Sequence, residues 1–434
     1  MYKEIGRLLL YSNLGEDSII TALAKIFEAF DKGENYDVLT ARIYAEIKRL
    51  LDLATQYGFD GNLWENYLTY ILVTNENSFS LTCERHGATE GGTVNKIAKK
   101  DFAIFKKLFH YDFSKIESAL GIDCFSLITN YKAIAKRERL YNKNVSEKVR
   151  SLSEKIAAAE DEEEIFRLVT ELYKNYGVGM FGLNRAFRLK DSKELEFCAI
   201  NNADSIRLSD LVGYEYQKKL LLENTGAFVR GLPANNALLY GDSGTGKSSS
   251  IKAVLNEFYD DGLRMIEIYK HQFGLLSSVI SHIKNRNYRF IIYIDDLSFE
   301  EHEIEYKFLK AVIEGGVETK PDNILIYATS NRRHIIKETW SDRNDMEYNG
   351  EVHRSDTMEE KLSLSSRFGV LINYSSPDRN EFFEIVKTLA ERDGINVDEK
   401  TLLAEANKWE IRHGGLSGRT ARQFVNYLAG TIEK

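Results

Sequence analysis

The sequence is poor in proline. Only Pro233, Pro321 and Pro377 occur among its 434 residues, and residues 1–232 contain none. At an ordinary frequency of roughly 5%, about eleven would be expected in that stretch. The shortage excludes a proline-rich linker or collagen-like segment there and leaves helices without their strongest breaker. Cysteine is scarce as well. Cys83, Cys124 and Cys198 are odd in number and share no repeated spacing, which excludes a disulfide framework and makes a reducing, cytoplasmic setting the expectation. Cys83-x-x-His86 has the spacing of a metal half-site, but no second pair accompanies it and tetrahedral zinc takes four ligands. Long apolar runs are missing too. Between Met1 and Ser18 the apolar run is Leu8-Leu9-Leu10, too short for a signal-peptide core, and no stretch approaches the roughly 18 apolar residues of a membrane span. No membrane partner is therefore expected. Positive charge is not in excess: 58 Lys and Arg face 66 Asp and Glu, a net charge of −8. Sequence-independent nucleic-acid binding needs clustered cations that replace phosphate counterions, so a protein is favoured over DNA as macromolecular partner.

What remains is a globular balance, 43% hydrophobic and 29% charged, in a length suited to two or three domains of about 150 residues. Residues 1–200 read as an all-α domain with a connecting segment to about Ala203. Apolar residues recur at helical spacing in Ile19–Phe30, Val38–Tyr57, Leu63–Val73, Asp101–Phe109, Phe113–Lys136 and Glu162–Tyr176. Asn75–Thr93 is polar and Gly-rich and reads as a loop. Nothing in this half names a chemistry. Its densest basic run, Lys132-Ala-Ile-Ala-Lys136-Arg137-Glu-Arg139, lacks interleaved aromatics and reads as a solvated helix face.

After Asp204 the texture changes. The β-rich runs Ala237–Tyr240, Arg264–Ile268, Phe290–Ile294, Ile324–Ala328 and Val370–Tyr374 alternate with the helical stretches Lys247–Tyr259, Gln272–Asn285 and His302–Glu314. Near-continuous apolar strands separated by helices predict a five-stranded parallel sheet covered on both faces, over residues 204–375. Residues 376–434 read as helical, with Ser376-Pro377 as N-cap and first residue of the first helix.

Gly241-Asp242-Ser243-Gly244-Thr245-Gly246-Lys247-Ser248 fits G-x-x-x-x-G-K-S/T between a strand and a helix, the context that the motif requires. Its glycines let successive amides curl around phosphate oxygens at a helix N-terminus. Lys247 would neutralise the β- and γ-phosphates, and the Ser248 hydroxyl would ligate Mg²⁺, a hard cation. The four fixed positions arise by chance in roughly 1–2% of chains this long. The apolar run Phe290–Ile294 ends in Asp295 and Asp296. Asp295 would hold the Mg²⁺ water shell, and Asp296 would orient or deprotonate the attacking water. Alone, Asp-Asp at a strand end is also a helix N-cap; its place one strand–helix unit after the glycine loop favours the chemical reading.

This order of motifs resembles the AAA+ superfamily of ATPases over residues 204–434. The resemblance implies a P-loop α/β module with a helical lid, ATP and Mg²⁺ as ligands, and a nucleotide-dependent homo-oligomer. Leu211-Val212-Gly213 is similar to the segment that lies against adenine, and Ala328-Thr329-Ser330-Asn331 to sensor 1, with Asn331 as the γ-phosphate or water contact. Ser365-Ser366-Arg367-Phe368 resembles the arginine-finger element, in which Arg367 would reach a neighbouring subunit's ATP. Gly415-Leu-Ser-Gly-Arg419 is similar to sensor 2, where Arg419 is the better match and Arg422, one turn on, remains open. Asn224-Thr225, Pro233-Ala-Asn-Asn236, Asp295-Asp-Leu-Ser-Phe-Glu300, Tyr327-Ala-Thr-Ser-Asn-Arg-Arg-His334, Glu359-Glu-Lys-Leu-Ser-Leu364, Ser417-Gly-Arg-Thr-Ala-Arg422 and Tyr176-Gly-Val-Gly-Met-Phe-Gly182 further resemble a bacterial family of AAA+ ATP-binding proteins known as domain of unknown function 815. Ser366 stands where that family has Asp.

Three functions follow as expectations: an ATPase that remodels or loads a macromolecular partner, a DNA-handling loader, and a slowly hydrolysing assembly switch. Asp-Asp after the apolar strand resembles helicase loaders and transposition ATPases. Asp in place of the commoner Glu at position 296 favours the switch, as does the lack of an aromatic–apolar–Gly translocation element in Tyr269–Gly274, where Phe273 reads as buried. Ser341–Glu360 is long and acidic and reads as a solvated loop.

Overall fold

A computed structural model describes residues 1–88, 91–133, 143–192, 194–201, 203–299, 303, 305–314, 321–331 and 364–431. The chain forms two compact units. The first comprises Met1–Asn184 with Ala199–Asn202, the second Arg185–Cys198 with Ala203–Lys434.

The first unit is helical, and its sequence shows why. Ser18 accepts the Thr21 amide and starts Ile19–Asp31, whose Ile19, Ile20, Leu23, Ile26 and Phe27 are buried. Asn35 caps Tyr36–Tyr57, which buries Leu39, Ile43, Ile47, Leu50 and Ala54 and stops at Gly58 in the left-handed region. Asn62 caps Leu63–Thr74. Two expectations differ here. The stretch Asn75–Thr93 holds a helix, Ser78–His86, because Asn77 and Ser80 form a reciprocal capping box and Phe79 and Cys83 are buried. The expected helix Phe113–Lys136 is divided into Ser114–Leu120 and Cys124–Thr129 by Gly121 at φ 66°; residues 134–139 of the basic run lie outside the described residues. Aromatic rings fill the core, with Phe113 and Phe125 stacked at 4.3 Å. The buried Asp101 carboxylate accepts the amides of Leu9, Leu10 and Tyr11, a structural use of a charge that would be costly if left unpaired.

The second unit is built on a sheet of β1 (Ala186–Leu189), β2 (Phe197–Ala199), β3 (Ala237–Gly241), β4 (Leu263–Glu267), β5 (Arg289–Ile294), β6 (Ile324–Ser330) and β7 (Val370–Tyr374). Their order is β2-β1-β4-β5-β6-β3-β7. The five strands read from the sequence form the contiguous run β4-β5-β6-β3-β7, and its pairs are parallel. What reads as a plain connection before Ala203 contributes two further strands, with β1 parallel to β4 in the register Ala186↔Met265. Its four residues are too short a signal to stand out. Every residue of β6 is buried, as expected of a central parallel strand.

The C-terminal helices Arg379–Arg392, Glu399–His413 and Gly418–Thr431 pack on Phe382, Val386, Leu389, Leu402, Phe424 and Val425. The first begins later than Ser376-Pro377. Asp378 is its N-cap, because the Asp378 carboxylate accepts the Glu381 amide and Glu381 accepts the Asp378 amide, both at 2.8 Å.

Candidate functional site

β3 leads into the glycine loop, and the helix Lys247–Phe258 leaves it. Three loop glycines have positive φ: Gly241 at 128°, Gly244 at 79° and Gly246 at 95°. The first two are also crowded. A Cβ on Gly241 would run into the Tyr374 carbonyl oxygen of β7, and one on Gly244 would lie 2.9 Å from Ser417 Oγ and 3.0 Å from Arg419 Cβ. A side chain is thus excluded twice, by dihedral and by space. Thr245 Oγ1 donates to the Asp242 carbonyl at 2.8 Å and ties the loop. The first-turn amides of the helix lack intrahelical acceptors, which makes this N-terminus suited to an anion.

Lys247 is 6% exposed. Its ammonium donates to the Gly241 carbonyl at 2.9 Å and to the Asp242 carbonyl. Burial holds its pKa below the ordinary value, and the nearby Asp242, Asp296 and Asp295 oppose that shift.

The carboxylate end is a connected network. Asp295 Oδ1 accepts Ser248 Oγ at 2.7 Å and Thr329 Oγ1 at 2.6 Å. Burial pushes the Asp295 carboxyl up, but hydrogen bonds led by Thr329 outweigh it and leave the group below its usual value. Thr329 also accepts the Asp296 amide at 2.9 Å, and its carbonyl accepts the Leu297 amide at 2.7 Å. These two bonds fix Asp296 at φ 50°, an uncommon conformation that Asp tolerates better than most residues. Asn331 Nδ2 donates to Asp296 Oδ1 at 2.9 Å.

These groups line a cavity of about 940 Å³ whose walls include Ser243 to Ser250, Asp295, Asp296, Thr329, Asn331, Arg419 and Arg422. Leu211, Val212 and Tyr214 line it from the segment before the helix Glu215–Val229, and Ile385 and Leu389 line it from the lid. The structure brings together most of the sequence-derived set. Gly213, Gly241, Asp242 and Arg367 do not line this cavity. Gly213 serves at φ 77° as the turn that lets Leu211 and Val212 face it. The Asp242 carboxylate accepts the Ser376 amide at 2.7 Å at the entry to the lid, and that bond holds its pKa low. Arg367 sits in the turn before β7, its amide on the Leu364 carbonyl. The two lid arginines differ. Arg419 reaches Ser243 Oγ at 3.4 Å and its amide donates to the Gly244 carbonyl at 3.1 Å, whereas Arg422 is ion-paired with Asp393 at 2.7 Å.

Sequence reasoning missed Thr329 as the organiser of both aspartates, and Tyr214, Lys218, Ile385 and Leu389 as cavity walls. Thr329 alone carried a signal, as part of the strand end Ala328–Asn331 that resembles sensor 1. The Asn and Thr motifs of the resemblance have a structural use: Asn224 and Thr225 bond the buried Tyr327 hydroxyl, each at 2.9 Å, and Asn236 accepts the Ile326 amide. Phe273 is buried against Phe299, as expected. The acidic stretch Ser341–Glu360 and Arg332 to His334 lie outside the described residues. No described helix is long and apolar enough to cross a membrane.

No curated protein matches the sequence. Among solved structures, a RuvB mutant of Thermotoga maritima is 16% identical at a TM-score of 0.35, over 51% of this chain and 64% of that one. The Thermotoga maritima RuvB Holliday junction branch migration motor is 14% identical at a TM-score of 0.32, over 51% and 71%. The family model described as protein of unknown function, DUF815, matches residues 183–432, well over half of the sequence. The chain belongs to the DUF815 family.

Proposed function

We propose that this protein binds ATP in the cavity between the glycine loop and the lid and hydrolyses it to ADP and phosphate, coupling the cycle to remodelling or loading of a macromolecular partner. The observation that carries the reading is the convergence of one buried ammonium, two carboxylates and Arg419 on a single cavity at a helix N-terminus. The triphosphate fits the cationic end and the base fits the apolar end at Leu211, Val212, Ile385 and Leu389.

Lys247 would exchange the two loop carbonyls for phosphate oxygens, a charge-assisted pairing stronger than the neutral one it replaces. Ser248 and Asp295 offer oxygen donors of the kind Mg²⁺ prefers. Bound there, the cation would supply charge neutralisation at the β- and γ-phosphate oxygens. Asp296, held by Thr329 and Asn331, would orient the attacking water and accept its proton as the bond from phosphorus to the β–γ bridging oxygen breaks. Arg419 would steady the phosphates from the lid. Arg367, away from the cavity of its own chain, would act on the ATP of a neighbouring copy in a homo-oligomer.

A second reading, a slowly hydrolysing assembly switch, is favoured by the connection after β4. There the Lys270 ammonium is tied to Glu303 and to the Ser298 carbonyl, Gln272 bonds Asp191 and Phe273 is buried. The exposed aromatic of this connection, Tyr269, is stacked on His271 and is not followed by the apolar–Gly pair of a translocation element. Net charge of −8 continues to favour a protein partner over DNA.

The lid assignment provides the test. Arg419→Ala is expected to weaken binding of a fluorescent ATP analogue about tenfold, the scale of one charge-assisted contact. Arg422→Ala, whose guanidinium is engaged by Asp393, is expected to cost less than about threefold. Equal losses, or no loss at Arg419, would remove the lid from the account.

A further inference from the structure

Tyr293 lies two residues before Asp295, at the end of β5, so the two side chains leave the backbone on the same face. It is 1% exposed, and its hydroxyl has no hydrogen-bond partner. The two other tyrosines of this unit below 2% exposure are satisfied: Tyr327 by Asn224 and Thr225, and Tyr374 by Ser250 at 2.9 Å. An orphaned buried hydroxyl is unfavourable, and Phe would fill the same volume without it.

The surroundings of this hydroxyl are specific. The hydroxyl lies close enough to Asp295 and Ser248 for hydrogen bonding to bear on its own acidity and on that of Asp295, yet no bond of sound geometry forms to either, and the geometry decides that it is unpaired here. Asp295 Oδ1 already accepts from Ser248 and Thr329, and a carboxylate has further lone pairs on its second oxygen. Tyr293 does not line the cavity that Ser248 and Asp295 face.

We propose that Tyr293 is a positioning residue of the cation site, its hydroxyl donating to Asp295 when Mg²⁺ and nucleotide are held and so fixing the carboxylate that faces the metal's water shell. The inference rests on the ATP–Mg²⁺ reading and deepens it. Groups that orient a metal's ligands change metal affinity by roughly 10–100-fold when removed.

The experiment is a MgCl₂ titration of the full chain with a hydrolysis-resistant fluorescent ATP analogue, comparing wild type with Tyr293→Phe, alongside ligand-free melting curves. Tyr293→Phe should bind the analogue without Mg²⁺ as wild type does, should need about tenfold more Mg²⁺ for half-maximal tightening, and should melt, ligand-free, at or above wild type. An unchanged Mg²⁺ requirement would reduce Tyr293 to packing and overturn the proposal. A lower ligand-free melting temperature would also overturn it, because the hydroxyl would then be paired in the empty protein. If wild type binds no analogue with or without Mg²⁺, the nucleotide reading fails first and the Tyr293 proposal with it; if wild type binds but Mg²⁺ does not tighten binding, the cation reading and the Tyr293 proposal both fail while nucleotide binding stands.

Discussion

Lys247→Ala is expected to weaken ATP binding by at least about 100-fold. The ammonium is the one cation of the glycine loop and is buried at the helix N-terminus. Each charge-assisted hydrogen bond to phosphate contributes about 1.5–3 kcal/mol, so losing two removes roughly 3 kcal/mol or more. The same change should not unfold the protein. Burial depresses the Lys247 pKa, so the charged form is less favourable in the folded chain than in the unfolded one. Below both pKa values that charge subtracts stability, and the deficit disappears only as pH rises through the folded pKa towards the unfolded one. Alanine removes the deficit along with the ammonium. The melting temperature of ligand-free Lys247→Ala should therefore fall by no more than about 3 °C. Loss of binding with an unchanged melt marks a functional lysine; loss of both would mark a structural one.

Asp296→Asn is expected to leave ATP binding within about threefold of wild type and to slow single-turnover phosphate release by at least about 100-fold, the lower end of what a positioned general base supplies. Asn is the informative replacement because Asp296 sits at φ 50°, where Asn is among the few residues accepted without strain. It also keeps the volume and a carbonyl oxygen for the Asn331 bond. Ala at that position would mix backbone strain with lost chemistry. Normal phosphate release from Asp296→Asn would show that another group handles the water and would strip Asp296 of its role.

The parts of the site that were legible in the sequence are those written into a few consecutive residues. The glycine loop demands its residue types at fixed spacing, and the structure shows why at Gly241 and Gly244, where both dihedral and space forbid a side chain. β3 to β7 were legible because a strand buried on both faces is a nearly unbroken apolar run. What stayed hidden depends on partners distant in the chain. Arg419 and Arg422 look alike on the helix, and the difference is Asp393, on the other side of a whole helix. Tyr293 inside Phe290–Ile294 reads as one more apolar residue, because a phenol's hydroxyl is silent until its neighbours are known. β1 became a strand through its register with β4, not through its own four residues. Asp378 outcompetes Ser376 as a cap because Glu381 answers it three residues on, while the Ser376 amide is taken by Asp242 from the glycine loop. That last bond also links the loop to the chain entering the lid. Most helices of the first unit followed the periodicity, and the buried Asp101 holds the amides of Leu9, Leu10 and Tyr11, a role that no local pattern announces.

Calorimetric titration of the 434-residue chain with a hydrolysis-resistant ATP analogue in the presence of Mg²⁺ tests the central claim most directly. The account predicts saturable binding at one site per chain, tighter with Mg²⁺ than without and lost in Lys247→Ala. Absence of saturable binding at millimolar analogue, or equal binding by wild type and Lys247→Ala, would contradict it.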